Sequence, residues 1–219
     1  MQDDTLIPFE PGRIGTDESG KGDYFGPLVI AAFFMPEGRE DALRGLGVKD
    51  SKRVTDRRAG EIANILKAEY VYSVVAIGPE KYNELYEKFR NLNKLLAWGH
   101  ARAIENVLDR VNCGKVITDQ FGDEKFVQNA LLKKGRAVEL VQMPRAEEDP
   151  AVAAASILAR AEFLARLHSL SREIGVELPK GATLVEETAV KLVRLKGAEV
   201  LDRVAKAHFK TTARVLARV

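Results

Sequence analysis

Two adjacent acids inside a glycine-rich segment are the residues of this sequence best suited to chemistry. The segment reads GTDESGKGDYFGP over residues 15–27, and Asp17 and Glu18 stand where we predict a strand, 13–17, to end. Neighbouring side chains on a strand point to opposite faces of a sheet. Two acids that serve one site therefore need a bend or a strand end, and the glycines that follow permit one.

Further carboxylates stand at the ends of other predicted elements. Asp119 closes the predicted strand 115–119, and the cluster Glu147, Glu148 and Asp149 directly precedes a long predicted helix. Acids at the ends of neighbouring strands converge on one edge of a sheet, where their mutual repulsion raises their pKa values. A hard divalent cation relieves that repulsion, because Mg²⁺ prefers oxygen ligands. Two such ions about 4 Å apart would clamp the attacking and leaving oxygens of a phosphoryl displacement.

The same segment also comes close to a phosphate-binding P-loop, and this gives a second hypothesis. Gly15, Gly20 and Lys21 have the spacing G-x-x-x-x-G-K, but residue 22 is glycine instead of the metal-binding Ser or Thr. The two acids inside the loop would repel phosphates unless a metal intervened. A nucleotide triphosphatase therefore ranks second. A third hypothesis, a non-catalytic nucleic-acid-binding module, needs a basic surface and no acids.

Other kinds of site find no support. The histidines at 100, 168 and 208 lack the spacing of a zinc site, and no G-x-S-x-G motif of a serine hydrolase is present. Cys113 is the single cysteine, so no internal disulfide can form, which fits a reducing cytoplasm. The N-terminus does not resemble a signal peptide, and no apolar stretch is long enough to span a membrane. We therefore expect a cytoplasmic protein.

The composition fits a soluble globular chain with a basic C-terminal end. The 219 residues are 46% hydrophobic and 30% charged, with a net charge of +2. Residues 180–219 contain nine Lys or Arg and four acids, whereas the rest of the chain is slightly acidic. Such a tail is either an electrostatic footprint for a polyanion or the solvated face of ordinary helices.

Hydrophobic patterns and capping residues predict an α/β protein. We predict strands at 13–17, 28–35, 69–77, 115–119 and 137–142. Helices are expected at 55–69, capped by Thr55, at 79–89, from Asn91 or Asn93 to about 111, after Asp123, and at 150–171. A capping box of Thr183 and Glu186 predicts another helix, and the chain ends helical. The predicted organisation is a lead-in (1–12), a catalytic domain (13–175) and a C-terminal helical extension (176–219).

Several motifs in order resemble those of the ribonuclease HII/HIII family. The run DESGKGDYFGPLV (17–29) resembles the opening motif of the HIII branch, whereas that of the HII branch is closer to DEAGRG. The resemblance continues through DSK (50–52), Thr118-Asp119, RAEEDPAVAAASILAR (145–160), LPKGA (178–182) and AHFKTT (207–212). It covers nearly the whole chain, and the motifs are specific when taken together.

This resemblance implies a fold, an activity and a set of catalytic residues. The fold is ribonuclease H-like, a mixed five-stranded sheet flanked by helices. The activity is metal-dependent cleavage of the RNA strand of RNA–DNA hybrids, leaving 3′-OH and 5′-phosphate ends, with Mg²⁺ or Mn²⁺ as cofactor. Asp17, Glu18 and Asp119 would be catalytic metal ligands. The family's fourth carboxylate is Glu in the HIII branch and maps best to Glu147 here.

The resemblance also implies how the substrate is bound. The backbone amides of Gly20-Lys21-Gly22 would meet phosphate and 2′-OH groups of the hybrid. The remaining expected contacts are Ser51, Lys52, Lys180, Lys210, Thr211 and Thr212. The HIII branch usually carries an N-terminal substrate-binding domain. Only about twelve residues precede the first predicted strand here, so we expect that domain to be lost or trimmed. We expect a monomer.

The two branches differ in how they read a single embedded ribonucleotide. The HII branch uses a tyrosine downstream of the AAAS helix, whereas no tyrosine follows Tyr86 in this chain. The loop Gly20-Lys21-Gly22 also has lysine where the HII branch has arginine, whose planar fork fixes geometry better. The sequence therefore predicts efficient cutting within runs of ribonucleotides and poor cutting at a single one.

Overall fold

A five-stranded mixed sheet forms the frame of the computed structural model, which describes residues 7–48, 54–120, 125–132 and 134–219. The strand order is β3-β2-β1-β4-β5. The first three strands pair antiparallel, and β4 and β5 add in parallel beside β1. The strand bounds are β1 Gly12–Ser19, β2 Leu28–Pro36, β3 Tyr72–Ile77, β4 Lys115–Asp119 and β5 Glu139–Met143.

The first strand is longer than the sequence predicted. β1 pairs with β2 as far as Ser19 opposite Val29, so Asp17 and Glu18 lie within the strand and not at its end. The prediction that β1 stops at Asp17 was therefore wrong, because pairing with the buried strand β2 extends β1 up to the glycines. The other four strands are confirmed within a few residues of the predicted bounds.

The helices lie on both faces of the sheet, and the last three come from the C-terminal part of the chain. Thr55 caps α2 by accepting a hydrogen bond from the Arg58 amide, as predicted, and Asn91 caps α4. The expected Thr183 capping box is wrong, since α7 begins at Glu186 with Val185 as its N-cap. The cap expected at Asp123 lies outside the described residues. The helix bounds are α1 Glu40–Gly45, α2 Asp56–Glu69, α3 Pro79–Phe89, α4 Leu92–Leu108, α5 Lys125–Ala130, α6 Pro150–Ile174, α7 Glu186–Lys196, α8 Val200–Val204 and α9 Lys210–Leu216.

Two helices cover the centre of the sheet from opposite sides. α6 packs on β1 and β2 on one face, and α4 packs on the same strands on the other. Gly15 permits the approach of α6, because a Cβ atom there would lie 2.2 Å from the carbonyl carbon of Ala151. β2 is buried along nearly its whole length, as expected for a strand covered on both faces. The predicted fold class, a mixed five-stranded sheet flanked by helices, is confirmed.

The C-terminal helical extension shares the core on the α6 side of the sheet. Val185, Leu192, Val204 and Val215 belong to the same buried cluster as Phe163 of α6. An isolated antiparallel bridge joins Ala205 to Phe25, a residue of the segment that connects β1 to β2. The division of the chain at residue 176 remains a prediction. Within the described ranges, no helix is both long and apolar enough to cross a membrane.

Candidate active site

The acids of β1 and β4 stand side by side. The parallel ladder between these strands ends with Thr16 opposite Thr118, so the next residue on each strand is an aspartate, Asp17 on β1 and Asp119 on β4. Paired positions on neighbouring strands point to the same face of the sheet. The predicted convergence of Asp17 and Asp119 on one edge of the sheet therefore follows from the strand register.

Asp17 faces the α6 side of the sheet. Ser156 of α6 hydrogen-bonds its carboxylate, and the Glu18 amide donates to Asp17 Oδ1 at 2.9 Å. Burial raises the pKa of Asp17 above its usual value, and the neighbouring charge of Glu18 raises it further, against the lowering effect of these hydrogen bonds. Asp17 is therefore a carboxylate whose negative charge is poorly compensated by the protein.

Glu18 faces the opposite side, where α4 packs. His100 Nε2 lies 3.2 Å from Glu18 Oε2, and Lys21 Nζ donates to Glu18 Oε1 at 3.2 Å. Burial alone would raise the pKa of Glu18, but the hydrogen bond and charge of His100, together with Lys21, lower it below its usual value. The predicted bend that would turn both acids to one face is absent, because β1 continues through both residues.

A histidine without a recognisable sequence motif orders this side of the site. His100 is fully buried on α4, and its Nδ1 lies 2.8 Å from Thr16 Oγ1. Both hydrogen-bonded neighbours lie on β1, so His100 links Thr16 and Glu18 across the interface between strand and helix. No sequence signal connects residue 100 to residue 18, since only the packing of α4 on the sheet brings them together.

The turn before α6 carries the candidate fourth carboxylate. The Ala146 amide donates to Asp119 Oδ1 at 3.4 Å, which places a 3₁₀ turn, Ala146–Glu148, beside β4. Asp149 caps α6 by accepting from the Ala151 amide at 2.8 Å and pairs with Arg13 at 2.7 Å. Glu148 is exposed, whereas Glu147 is half-buried. Of the three acids, Asp149 is thus committed to structure, which favours Glu147 or Glu148.

The candidate ligands are chemically suited to a hard divalent cation, but their side chains do not all point to one place. All the candidate ligands are carboxylates, and Asp17 carries a buried charge that a cation would compensate. In the part of the chain that the structure describes, however, no three Asp, Glu, His or Cys side chains converge closely enough to hold a metal ion. Glu18 is turned to His100, and Asp119 accepts from a backbone amide. The carboxylates must therefore reorient to share a cation.

Gly20, Lys21 and Gly22 form a tight turn after β1, which we call the glycine turn; Gly22 is exposed in it, whereas Gly20 is buried. The Asp23 amide donates to the Gly20 carbonyl at 3.3 Å, and Gly20 has φ +86°. A Cβ atom at Gly20 would lie 2.2 Å from the Pro27 carbonyl oxygen, whereas one at Gly22 would meet no atom within 4 Å. The turn leads into the strand β2, whereas a P-loop must lead into a helix. This topology argues against the nucleotide triphosphatase hypothesis.

The other expected substrate contacts are spread over several elements. Ser51 and Lys52 lie outside the described residues. Lys180 Nζ donates to Asp56 Oδ2 at 2.5 Å, and Arg160 binds the other oxygen of the same carboxylate at 2.6 Å. No sequence pattern predicted this cluster around Asp56, because its members lie more than 100 residues apart in the chain or on different elements. Lys180 is half-exposed there, so its expected role with phosphates remains a prediction.

The KTT motif begins α9 and lies close to the glycine turn. Thr212 Oγ1 lies 3.2 Å from the hydroxyl of Tyr24, which follows the turn. Thr211 is only 2% exposed and accepts a hydrogen bond from Arg214, whereas Lys210 is exposed. The structure thus brings Thr212 near the glycine turn, whereas Thr211 is buried and its hydroxyl is bonded to Arg214.

The same architecture occurs in solved structures. Bst-RNase HIII in complex with Mn²⁺ is 34% identical, with a TM-score of 0.88 over 96% of this chain and 70% of that one. Aquifex aeolicus RNase H3 is also 34% identical, with a TM-score of 0.73 over 90% of this chain and 72% of that one. Ribonuclease H2 from Pyrococcus horikoshii, 23% identical with a TM-score of 0.80 over 94% and 98% of the two chains, shares the fold. The fold is therefore ribonuclease H-like.

Relatives found by sequence are ribonucleases H as well. Ribonuclease HIII of Protochlamydia amoebophila is 49% identical over 98% of this chain and 71% of its own length. Ribonuclease HIII of Chlamydia pneumoniae is 44% identical over 91% of this chain and 68% of its own. The family model described as Ribonuclease HII matches residues 14–212, a span that includes every candidate site residue. The chain therefore belongs to the ribonuclease HII family and is a ribonuclease H enzyme.

Proposed function

We propose that this chain hydrolyses the RNA strand of RNA–DNA hybrids and leaves 3′-OH and 5′-phosphate ends. The observation that carries the proposal is the position of Asp17 and Asp119, each directly after the last residue pair of the β1–β4 ladder in a ribonuclease H-like fold. Glu18 and Glu147 complete the proposed set of catalytic carboxylates. The Mn²⁺ complex of Bst-RNase HIII supports a divalent cation as cofactor, either Mg²⁺ or Mn²⁺.

The carboxylates would hold the cation and orient the reacting groups. When bound, a divalent cation stabilises the charge that develops on the scissile phosphate. Asp17 is poised as a ligand because burial leaves its charge uncompensated. Glu18 is kept ionised and restrained by His100 and Lys21, so it is available as an acceptor close to the glycine turn. In this proposal the protein's contribution is positioning and electrostatics, and it forms no covalent intermediate.

Recognition of the RNA strand would come from the glycine turn. Gly22 is exposed and has open space around it, so a sugar–phosphate backbone can approach the main chain closely there. Contacts to 2′-OH groups let a protein distinguish RNA from DNA. Lys21, Lys180, Lys210 and Thr212 would hold flanking phosphates, as would Ser51 and Lys52.

A cleavage assay tests this function directly. A duplex with a labelled RNA strand is incubated with the chain in Mg²⁺, in Mn²⁺ and in EDTA, and the products are mapped at nucleotide resolution. We expect cation-dependent internal cuts with 3′-OH and 5′-phosphate ends. ATP or GTP turnover without hybrid would favour a nucleotide triphosphatase instead. Hybrid binding without cutting, unchanged in Asp17→Asn, would favour a non-catalytic binding module.

Cutting rates on duplexes with different numbers of consecutive ribonucleotides test which branch of the family the chain belongs to. We expect efficient cutting of a duplex with four or more consecutive ribonucleotides and poor cutting of one with a single ribonucleotide. The reason is that no tyrosine follows Tyr86 and that Lys21 replaces the arginine of the other branch. Equal rates on the two duplexes, under the same cation and salt, would show that another residue reads the junction.

A further inference from the structure

A lysine from the C-terminal helical extension is buried beneath the segment that follows the glycine turn. Lys206 lies between α8 and α9, and none of its surface is exposed. Its Nζ donates to the carbonyl oxygens of Asp23 and Gly26, both at 2.8 Å. These two carbonyls lie on either side of residues 24 and 25, directly after the glycine turn. One side chain thus spans the segment that joins the turn to β2.

The main chain of that segment is bound to the C-terminal helical extension at several further points. We call residues 23–26 the anchored segment. The Tyr24 amide donates to the Gly181 carbonyl at 2.8 Å, and the Gly26 amide donates to the Val204 carbonyl at 2.9 Å. The Lys206 amide donates to the Tyr24 carbonyl at 2.9 Å. The Gly181 amide donates to Asp23 Oδ1 at 2.6 Å, so both sides of the anchored segment are held.

The choice of lysine at this position has an energetic cost. Transfer of an ammonium group into a protein interior is unfavourable unless the group is paired or hydrogen-bonded. Burial lowers the pKa of Lys206 to about 7, and the charge of Asp23 offsets this only in part. A methionine would fill the same space at lower cost, but it could not donate to the two carbonyls. The hydrogen bonds to the anchored segment are therefore the feature that distinguishes lysine from an apolar residue here.

We propose that Lys206 is a positioning residue that holds the anchored segment so that Gly20-Lys21-Gly22 presents its amides to the hybrid in a fixed geometry. This inference rests on the proposed function, in which the glycine turn binds the substrate backbone. Lys206 does not touch the substrate, because it is fully buried. Because it restrains the turn before binding, the turn loses less conformational entropy when the hybrid binds. The effect falls on substrate affinity and not on the chemical step.

The test uses matched variants of the full 219-residue chain. Lys206→Met keeps the length and apolar body of the side chain but removes every N–H donor. Lys206→Gln retains two N–H donors on a shorter chain. Lys115→Met removes the same charge at the start of β4, at the opposite end of that strand from Asp119, and serves as the control. The measurements are hydrogen exchange by mass spectrometry, hybrid affinity, KM, kcat and Mn²⁺ affinity.

A positioning role predicts a specific pattern across these measurements. In Lys206→Met we expect amide exchange at residues 18–27 to accelerate at least tenfold, with β4 and β5 unchanged. The KM and Kd for a hybrid should rise about tenfold, while kcat and Mn²⁺ affinity stay within twofold of wild type. Lys206→Gln should fall between Lys206→Met and wild type, and Lys115→Met should match wild type.

Two results would overturn the inference. One is a hybrid Kd and KM within twofold of wild type in a folded Lys206→Met. The other is accelerated exchange over the whole chain with kcat and Mn²⁺ affinity falling together, which would make Lys206 an ordinary core residue. If neither Lys206 variant folds, Asp23→Ala and Asp23→Asn decide. Asn keeps the acceptor for Gly181, so only Asp23→Ala should raise KM, and equal values for the two would also overturn the inference.

These outcomes separate the inference from the proposed function. If the wild-type chain leaves every hybrid intact in Mg²⁺ and Mn²⁺, the proposed function fails whatever the variants do. If the wild type cuts and the variants bind the hybrid as it does, only the role of Lys206 fails.

Discussion

Adjacent acids on one strand have opposite electrostatic environments in this protein. Burial and the charge of Glu18 raise the pKa of Asp17, whereas His100 and Lys21 lower that of Glu18 despite its burial. The difference arises because the two side chains lie on different faces of the sheet, one toward α6 and the other toward α4. At neutral pH in the absence of a metal, the charge of Asp17 is therefore less well compensated than that of Glu18.

Asp17→Asn should abolish cleavage and stabilise the metal-free fold. Loss of a charged cation ligand should lower kcat by about a thousandfold or more, since several kcal/mol of charge stabilisation disappear. The raised pKa of Asp17 means that its ionisation opposes folding as pH rises through that value. We therefore expect the Tm at pH 7 in EDTA to rise by about 2–6 °C.

The pH dependence of this stabilisation provides its control. Below about pH 3 Asp17 is protonated in both folded and unfolded chains, so the Tm difference between wild type and Asp17→Asn should shrink from about pH 6 downward and vanish there. Asp41→Asn, at an exposed position in the first turn of α1, should change neither Tm nor cleavage. Near-wild-type cleavage by Asp17→Asn would contradict the proposed role of this acid.

The fourth carboxylate is decided by comparing two neighbouring glutamates. Glu147 is half-buried in the turn whose Ala146 amide contacts Asp119, whereas Glu148 is exposed. Glu147→Gln should reduce kcat by at least about a hundredfold, because a charged ligand is lost beside the reacting phosphate. Glu148→Gln should stay within about twofold of wild type in the same steady-state assay. The reverse pattern would move the assignment to Glu148.

At the level of elements, the contact between β1 and α6 sets the position of the site. Gly15 and Asp17 share one face of β1, since they are two residues apart on the strand. The α6 backbone lies against Gly15, and Ser156 of the same helix binds Asp17. Close packing at Gly15 therefore also determines how near α6 comes to Asp17, a candidate catalytic acid.

Gly15→Ala should destabilise the fold by about 3 kcal/mol, because overpacking forces the helix away from the sheet. A Cβ atom there would lie 2.2 Å from backbone atoms of α6, which cannot move independently. The matched control is Gly60→Ala in α2, where no atom lies within 4 Å and alanine is the better helix former. Urea denaturation should show a lower midpoint for Gly15→Ala and an equal or higher one for Gly60→Ala. Equal midpoints for Gly15→Ala and wild type would contradict the close contact.

At the scale of the whole molecule, the basic C-terminal tail is partly neutralised. Among the residues that the structure describes, four of its cations form ion pairs with acids, and Lys206 is buried. The pairs are Lys180–Asp56, Arg203–Glu173, Arg214–Glu186 and Arg218–Glu187. The tail therefore presents less positive surface than its composition suggested. Phosphate binding by the tail is thus expected from individual lysines near the glycine turn.

Hybrid affinity should fall with salt, and Lys210 should contribute to the slope. Each phosphate contact adds up to about 0.9 to the slope of log affinity against log salt. Lys210→Ala, at the start of α9, should reduce the slope by about that amount or less, whereas Lys115→Ala should leave it unchanged. Fluorescence anisotropy in Ca²⁺ or EDTA from roughly 50 to 200 mM salt measures both slopes. An affinity independent of salt would contradict a phosphate-binding surface.

Lys206 should make global stability depend on pH. Its pKa in the folded chain is about 7, well below the value of about 10.4 expected in the unfolded chain. Between these values the unfolded chain binds a proton that the folded chain lacks. The free energy of unfolding should therefore rise with pH by up to about 1.4 kcal/mol per unit above pH 7. The groups that face Lys206 are Asp23, His208 and the ring of Tyr82.

Chemical denaturation between pH 7 and 9 tests this linkage. The rise in stability should be present in wild type and in Lys115→Met and absent in Lys206→Met. The unfolding of Lys206→Met should thus depend less on pH, even where its absolute stability differs. A rise of the same size in Lys206→Met would show that another group causes it.

Much of the fold was predictable because its strands and caps carry local signals. The apolar run of β2, the caps Thr55 and Asn91, and the bounds of α3 and β4 follow from residue types a few positions apart. The end of β1 and the start of α7 were mispredicted, since strand pairing and tertiary packing overrode the local pattern. Asp17, Glu18, Asp119 and the glycine turn could be proposed as site residues from the sequence, because their types and order match a family's motifs.

The sequence by itself therefore determined which residues are suited to the chemistry, and the tertiary structure decided how they are arranged. Only the β1–β4 register places Asp17 beside Asp119, and only the packing of α4 brings His100 to Glu18, 82 residues away. Likewise, only the docking of the C-terminal helical extension places Lys206 under the anchored segment, about 180 residues earlier in the chain. The physical reason is that such contacts depend on the relative positions of whole elements, which local propensity does not encode.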